Sequence, residues 1–184
     1  ALTALTIFAA TTVLSTMGFG IGMVATPFLL LVLEPQTIVV VLNSVAFPVF
    51  AFLVYQNRAY LPLKEMAPFV IAAMIGAPLG VVTLKIADPN TLRISITVLI
   101  LILTILIACN IEGPTVLHRT VSPIVGFIVG SLIIALGIGG PFLVLLLLSR
   151  RWPSRKLRAG LALFNLSLGG VGLVGYYFAD LFNT

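Results

Sequence analysis

Six long intervals of this sequence contain no charged side chain, and they constrain the fold more than any other feature. They comprise residues 1–33, 35–57, 66–84, 94–111, 120–149 and 159–179. Each has at least 18 residues, and a helix of about 20 apolar residues crosses the roughly 30 Å of hydrocarbon in a bilayer. Membrane strands would be shorter and would alternate polar with apolar residues, which these intervals do not. The sequence therefore predicts an all-α, polytopic membrane protein with about six transmembrane helices.

The composition excludes a soluble domain. Hydrophobic residues make up 60% of the chain and charged residues 8%, whereas a soluble domain has about 25% charged residues. The net charge is +5, but nearly all basic residues lie between apolar intervals, where they face anionic lipid headgroups. We therefore expect the lipid bilayer as a partner and no nucleic acid.

The chemistry-bearing residues are too few for an active site or a metal centre. Cys109 and His118 are the only residues of their types, which excludes an intrachain disulfide and a metal site built from several Cys or His side chains. The acidic residues all lie at the ends of apolar intervals or in loops; they are Glu34, Glu65, Asp88, Glu112 and Asp180. We expect no catalytic residues, no metal ion and no cofactor, and the protein is not predicted to be an enzyme.

Two of the charge-free intervals are too long for one straight helix. Residues 1–33 would extend about 50 Å at 1.5 Å per residue, and residues 120–149 nearly as far. Each contains glycines followed by a proline, from Gly18 to Pro27 and from Gly137 to Pro141. Glycine costs about 1 kcal/mol in a helix interior and proline about 3 kcal/mol. The first and fifth helices are therefore predicted to be broken at these segments, and the two breaks are predicted to lie close together near mid-membrane.

Close helix packing is the alternative explanation of the glycines. Gly18–Gly22, Gly76–Gly80 and Gly126–Gly130 all fit the small-xxx-small pattern by which membrane helices approach one another. For the second and third pairs, packing is the favoured interpretation. For the first pair, Gly18–Gly22, both packing and a functional break remain open as interpretations.

The two halves of the chain repeat one another. Pro27-Phe28-Leu29-Leu30-Leu31 is similar to Pro141-Phe142-Leu143-Val144-Leu145, and each segment follows its glycine cluster. A turn with a further proline comes next, and then an apolar interval that contains Asn43 in the first half and Asn165 in the second. A duplicated broken helix followed by a helix with a polar residue is typical of secondary transporters, whose sites lie where the repeats meet.

These motifs resemble a known family. The glycines up to Gly22, the Pro27 segment, Glu34-Pro35, Asn43 and Gly76-Ala77-Pro78-Leu79-Gly80 are similar to the half-repeat of the sulfite exporter TauE/SafE family. The resemblance implies four helices in each half, so that residues 1–111 form the first repeat and 112–184 an incomplete second one, as expected of a fragment. It also implies transport of small anions such as sulfite, sulfonates or related organosulfur compounds. Leu42-Asn43-Ser44 departs from the Thr-Asn-Lys of many relatives and leaves the substrate open.

A site for such an anion must replace the water that the anion loses. No Lys or Arg lies centrally in an apolar interval, so the donors are expected to be backbone N–H groups of half-helices that start near Pro27 and Pro141, together with asparagine amides. The predicted substrate-binding residues are Gly20, Gly22, Pro27, Asn43, Gly139, Gly140, Pro141 and Asn165. Two alternatives remain open. In the first alternative, the two asparagines only form hydrogen bonds that hold helices together. In the second, the whole chain is a structural or accessory membrane subunit without transport of its own.

The basic residues predict an orientation in the inner (plasma) membrane. With six spans, seven basic residues fall on one side, namely Lys85, Arg93, Arg150, Arg151, Arg155, Lys156 and Arg158, and three on the other, Arg58, Lys64 and Arg119. The positive-inside rule then places the first group in the cytoplasm. Tyr55, Tyr176 and Tyr177 lie at span ends and are interpreted as an interfacial aromatic belt. A homo-oligomer is compatible with the sequence.

Overall fold

The computed structural model describes residues 2–17, 21–108, 122–138, 140, 143–144, 147 and 152–181. Seven α-helices lie in these ranges: α1 Leu2–Met17, α2 Ile21–Leu29, α3 Pro35–Gln56, α4 Leu63–Ile86, α5 Pro89–Ala108, α6 Ser122–Leu136 and α7 Ser154–Phe178. A short 3-10 turn, Arg58–Tyr60, joins α3 to α4. The described ranges contain no strand, so the predicted all-α fold is confirmed.

Prolines begin two of the long helices. Pro35 is the first residue of α3 and Pro89 the first of α5. The first turn of a helix lacks acceptors for its N–H groups, so a residue without that donor loses nothing there, and its fixed φ suits the helix. At the start of α5, Asp88 Oδ2 accepts a hydrogen bond of 3.0 Å from the Asn90 N–H, which satisfies a further donor of that turn.

The helices α3, α4 and α7 are each long and apolar enough to cross a membrane. On α4, one face carries exposed large apolar side chains, namely Ile71, Ile75, Leu79, Val82 and Ile86. Such a stripe would be an association surface in water but is an ordinary lipid-facing surface in a bilayer. The protein is therefore a multi-pass helical membrane protein.

The opposite face of α4 packs closely against α6 through four glycines. A Cβ on Gly126 would lie 2.7 Å from the carbonyl oxygen of Phe69, and one on Gly130 would lie 2.6 Å from Ala73 Cα. Gly76 and Gly80 meet the α6 backbone with similar closeness. The prediction that these four glycines serve helix packing is confirmed, because only glycine lets two helix backbones lie this close together.

The same contacts show that α4, α6 and α7 run in one direction. Gly126 and Phe69 lie near the starts of α6 and α4, whereas Ile134 meets Gly80 near their ends. Along α7, Gly160 lies against Pro62 and Gly175 against Val81. We call the end of the bundle at the starts of these three helices the Ser154 end, and the opposite end the Pro35 end.

The second long apolar interval is a hairpin and not one broken span. Because α6 and α7 run in the same direction, the chain between Leu136 and Ser154 has to cross back towards the Ser154 end. Among the described residues of this return, 140, 143, 144 and 147 are helical, and Leu143 and Leu147 are buried in the core.

The first long interval also folds back. Helices α1 and α2 pack against each other and are separated by three residues, which reach at most about 14 Å, whereas α1 is about 24 Å long. Side-by-side packing therefore requires α2 to return along α1. The prediction of interrupted helices is confirmed, and the prediction that each interval continues in one direction is wrong, since about 30 residues suit two short helices as well as one long one.

The predicted orientation is wrong for the same reason. Arg155 Nη1 donates a 3.1 Å hydrogen bond to the Tyr60 hydroxyl, and Lys156 Nζ lies 2.8 Å from Glu65 Oε1. Loops assigned to opposite sides thus meet at the Ser154 end. Five described cations lie there, Arg58, Lys64, Arg155, Lys156 and Arg158, against Lys85 and Arg93 at the Pro35 end. The positive-inside rule now favours the Ser154 end as the cytoplasmic one.

Helices α3 and α7, which occupy corresponding places in the two predicted repeats, run antiparallel. Asn43, the ninth residue of α3, meets Tyr176 near the end of α7, and Phe47, further along α3, meets Gly169 and Gly170 further back on α7. This is the relation expected of inverted repeats. The predicted boundary between repeats 1–111 and 112–184 falls outside the described residues and stays a prediction.

Candidate functional site

The first break lies between Met17, the last residue of α1, and Ile21, the first of α2. Gly20 lies outside the described residues. The expectation that the half-helix starts near Pro27 is wrong, because Pro27 is the seventh residue of α2 and is exposed. Pro27 lacks the N–H group that would donate to the fourth residue before it, so it removes one hydrogen bond from this nine-residue helix. Membrane helices tolerate such a loss.

The second break begins with Gly137, directly after α6. Its φ of 70° lies in the left-handed region, where glycine carries no Cβ penalty, and its N–H donates a 2.9 Å hydrogen bond to Ile133 O. This is a common way to end a helix. Gly140 is helical again and half-buried, whereas Gly139 and Pro141 lie outside the described residues.

The two breaks touch. A Cβ on Gly22 would collide with the carbonyl oxygen of Gly137 and would lie 3.2 Å from Ile138 Cγ1. The predicted proximity is confirmed. Gly137 also lies against Val39, the fifth residue of α3, so this contact is nearer to the Pro35 end of the bundle than to its middle.

The start of α2 offers hydrogen-bond donors at this contact. The N–H groups of Ile21, Gly22 and Met23 belong to the first turn, which has no intrahelical acceptors. The aligned peptide dipoles add roughly half a positive charge there. The described cations lie at the two ends of the bundle, so α2 supplies the positive potential near Gly22.

Asn43 ties three helices together through a tyrosine. Its Nδ2 donates to Val39 O at 2.9 Å and to the Tyr176 hydroxyl at 3.3 Å. The Tyr176 hydroxyl in turn donates to Ile134 O at 2.7 Å. Ile134 O is among the last four carbonyls of α6, which lack intrahelical donors. Tyr176 thus caps α6 just before the second break, and the amide of Asn43 serves the helix-tying role named as the alternative.

Tyr176 is the residue that sequence reasoning misplaced. It is 0% exposed, so its assignment to an interfacial belt is wrong, whereas Tyr55 and Tyr177 are 67% and 73% exposed as an interfacial position requires. The sequence does hold a signal for its burial. Gly169, Gly172 and Tyr176 follow one another at helical spacing, and all three are buried.

Asn165 lies away from the breaks. Its Nδ2 donates a 2.9 Å hydrogen bond to Leu161 O of its own helix. Tyr176 follows it by eleven residues on α7, which is about 16 Å along the axis. The antiparallel packing is the reason, because it places Asn43 at the level of the C-terminal part of α7 and not at that of Asn165.

Thr26 is a second polar residue that sequence reasoning did not select. It lies on the buried side of α2, four residues after Gly22, and is 1% exposed. Among the described residues, its Oγ1 has no hydrogen-bond partner. A polar atom is thus buried beside the helix break.

The apolar helices fold back at the breaks, the two breaks are in contact, and α3 runs antiparallel to α7. This arrangement is typical of membrane transporters. The sulfite exporter TauE/SafE family model matches residues 3–184, so the chain belongs to that family, whose members are membrane transporters. Searches of curated proteins and of solved structures return no match.

Proposed function

We propose that this protein carries small anions, of the class of sulfite, sulfonates and related organosulfur compounds, across the inner (plasma) membrane. The observation that supports this most is the start of α2 at Ile21, where Gly22 lies directly against the second break at Gly137. Family membership supports the same class of substrate.

The proposed site uses the N–H groups of the first turn of α2 to replace water around the anion. Moving an ion out of water is costly unless the protein supplies hydrogen bonds, and a helix N-terminus supplies both donors and positive potential. Glycine at position 22 leaves room for close approach to the backbone. Because the donors are dipoles and not fixed cations, an anion can leave as readily as it enters.

The site as proposed comprises Gly22, Gly140 and Asn43, whose long Nδ2 hydrogen bond of 3.3 Å to the Tyr176 hydroxyl would be exchanged for one to the anion. Gly20, Gly139 and Pro141 stay in the proposal through their places in the sequence beside these residues. Pro27 and Asn165 leave it, because Pro27 is exposed on α2 and Asn165 lies about 16 Å along α7 from Tyr176.

An accessory subunit without transport is the competing function. The four glycines between α4 and α6 do fit a purely packing role. The contact between Gly22 and Gly137 involves a helix start and a left-handed residue, and close packing of helices requires neither.

Flux in proteoliposomes tests the proposal. The full-length protein is reconstituted, and uptake of radiolabelled sulfite and of a sulfonate is compared with that of protein-free vesicles. Protein-dependent, saturable flux is the expected result. Vesicles that take up neither anion faster than protein-free ones would refute the proposed function.

Two asparagine variants then locate the site. Asn43→Ala should lower the flux, while Asn165→Ala should leave it close to wild type. Tyr176→Phe serves as the matched control, since it breaks the same bridge between α3 and α7 but keeps the Asn43 amide. Equal losses in Asn43→Ala and Tyr176→Phe would assign Asn43 a structural role and remove it from the site.

A further inference from the structure

We propose that the hydroxyl of Thr26 donates a hydrogen bond to the transported anion and thereby makes the site prefer oxyanions to anions of a single atom. This inference rests on the proposed function and adds to it a specificity-determining residue.

The burial of Thr26 without a partner is the first observation. The residue is 1% exposed, and its Oγ1 has no hydrogen-bond partner within the part of the chain that the structure describes. Buried polar side chains nearly always have a partner, and leaving one unpaired is destabilising. An unpaired hydroxyl at this depth therefore indicates a partner that comes and goes.

Other hydroxyls of this protein show what Thr26 does not do. Thr11, Thr83, Thr97 and Thr104 each place Oγ1 within 2.7–2.8 Å of the carbonyl oxygen four residues earlier. This back-bonding is the usual way for a hydroxyl in an apolar helix to be satisfied. For Thr26 the equivalent acceptor would be Gly22 O, yet that bond is not formed.

The position of Thr26 relates the hydroxyl to the proposed site. Residues four apart lie on one face of a helix, and the Cα–Cβ bonds tilt towards the helix N-terminus. The Thr26 side chain is therefore directed along the buried face towards Gly22 and the N–H groups of the first turn of α2. Gly22 itself contacts the second break, so hydroxyl, helix start and break occupy one region.

This arrangement favours an oxyanion. One oxygen of such an anion can accept hydrogen bonds from the N–H groups at the start of α2, while a second accepts the Thr26 hydroxyl proton. Sulfite and sulfonates each have three oxygens and satisfy both requirements. A halide has a single atom to share between donors about one helical turn apart, so it is expected to bind more weakly.

The test is the pair Thr26→Val and Thr26→Ser. Valine keeps the shape of the side chain and removes the donor, whereas serine keeps the donor. Thr83→Val is the matched control, because Thr83 is exposed and bonds Leu79 O within its own helix. Two quantities are measured: the KM for sulfite flux in proteoliposomes, and the rise in Tm that added sulfite produces in detergent.

The expected result for Thr26→Val is a KM raised about tenfold or more, as for loss of a hydrogen bond to a charged group. The sulfite-induced rise in Tm should shrink with it, while the Tm without sulfite stays at or above that of the wild type, because an unpaired hydroxyl has been removed. Thr26→Ser and Thr83→Val should keep the wild-type KM.

Each contrary result has its own meaning. A wild-type KM in Thr26→Val overturns this inference and leaves the proposed function standing. A lowered Tm or a failure to fold in Thr26→Val also overturns it, because the hydroxyl would then support the fold. If the wild-type protein shows neither sulfite flux nor a Tm rise with sulfite, the proposed function fails and this inference fails with it.

Discussion

Replacing Tyr176 by phenylalanine removes a single oxygen atom from the buried interior of the helix bundle. That hydroxyl donates to Ile134 O at 2.7 Å and accepts from Asn43 Nδ2 at 3.3 Å. It thereby joins α7 to the end of α6 and to α3. The ring itself is fully buried, and phenylalanine keeps its shape, so the substitution tests the hydrogen bonds separately from the packing.

The expected loss of stability follows from the groups left behind. Ile134 O becomes a buried carbonyl without a donor, which costs about 1–3 kcal/mol. Hydrogen bonds between membrane helices are worth about 0.6 kcal/mol on average and up to about 1.7 kcal/mol, so the bond from Asn43 adds little. We expect a loss of about 1–3 kcal/mol, and about 2–4 °C in Tm for each kcal/mol in a protein of this length.

Thermal unfolding of the purified protein in detergent, followed by far-UV circular dichroism, measures this loss. The neighbouring residue supplies the control, because Tyr177→Phe makes the same chemical change at a side chain that is 73% exposed and should leave Tm unchanged. The double variant Tyr176→Phe with Asn43→Ala should lose less than the sum of the single variants, since the two side chains share a bond. Equal Tm values for Tyr176→Phe and Tyr177→Phe would refute the capping role.

Two further predictions concern the break and the orientation. Gly22→Ala should destabilise the protein by about 1–3 kcal/mol and suppress sulfite flux, because its Cβ collides with a backbone carbonyl, whereas Gly170→Ala, with its nearest neighbour at 3.6 Å, should be nearly neutral. Similar behaviour of both variants in Tm and flux would contradict the close contact of the breaks. In a Cys109→Ser background, a membrane-impermeant thiol reagent added to intact cells should label Asn90→Cys and should reach Ser154→Cys only after permeabilisation. The reverse pattern would overturn the assignment of the Ser154 end to the cytoplasm.

Sequence alone was sufficient for the helices and for the glycine faces of α4 and α6 that take part in close packing. An apolar interval between charged turns has to form a helix in a bilayer, since no water is present to satisfy its backbone groups. The spacing of Gly76 with Gly80, and of Gly126 with Gly130, determined which faces of α4 and α6 meet. The glycine clusters likewise determined where the two long intervals are interrupted, because helix propensity is a local property.

The directions and partners of these elements were decided only by the tertiary structure. Hydropathy measures transfer into lipid, and it is the same for a helix that continues and for one that folds back. The sequence therefore did not reveal the hairpin of α1 with α2. The predicted orientation was wrong because it was based on a count of six spans. Tyr176 and Asn165 lie in the same apolar interval, residues 159–179, whose sequence does not show which residues of other helices either side chain contacts. The antiparallel packing of α7 on α3 places Tyr176 beside Asn43 and leaves Asn165 about 16 Å away along α7. Burial without a partner, as at Thr26, depends on which surfaces surround a side chain, and only packing in three dimensions supplies those surfaces.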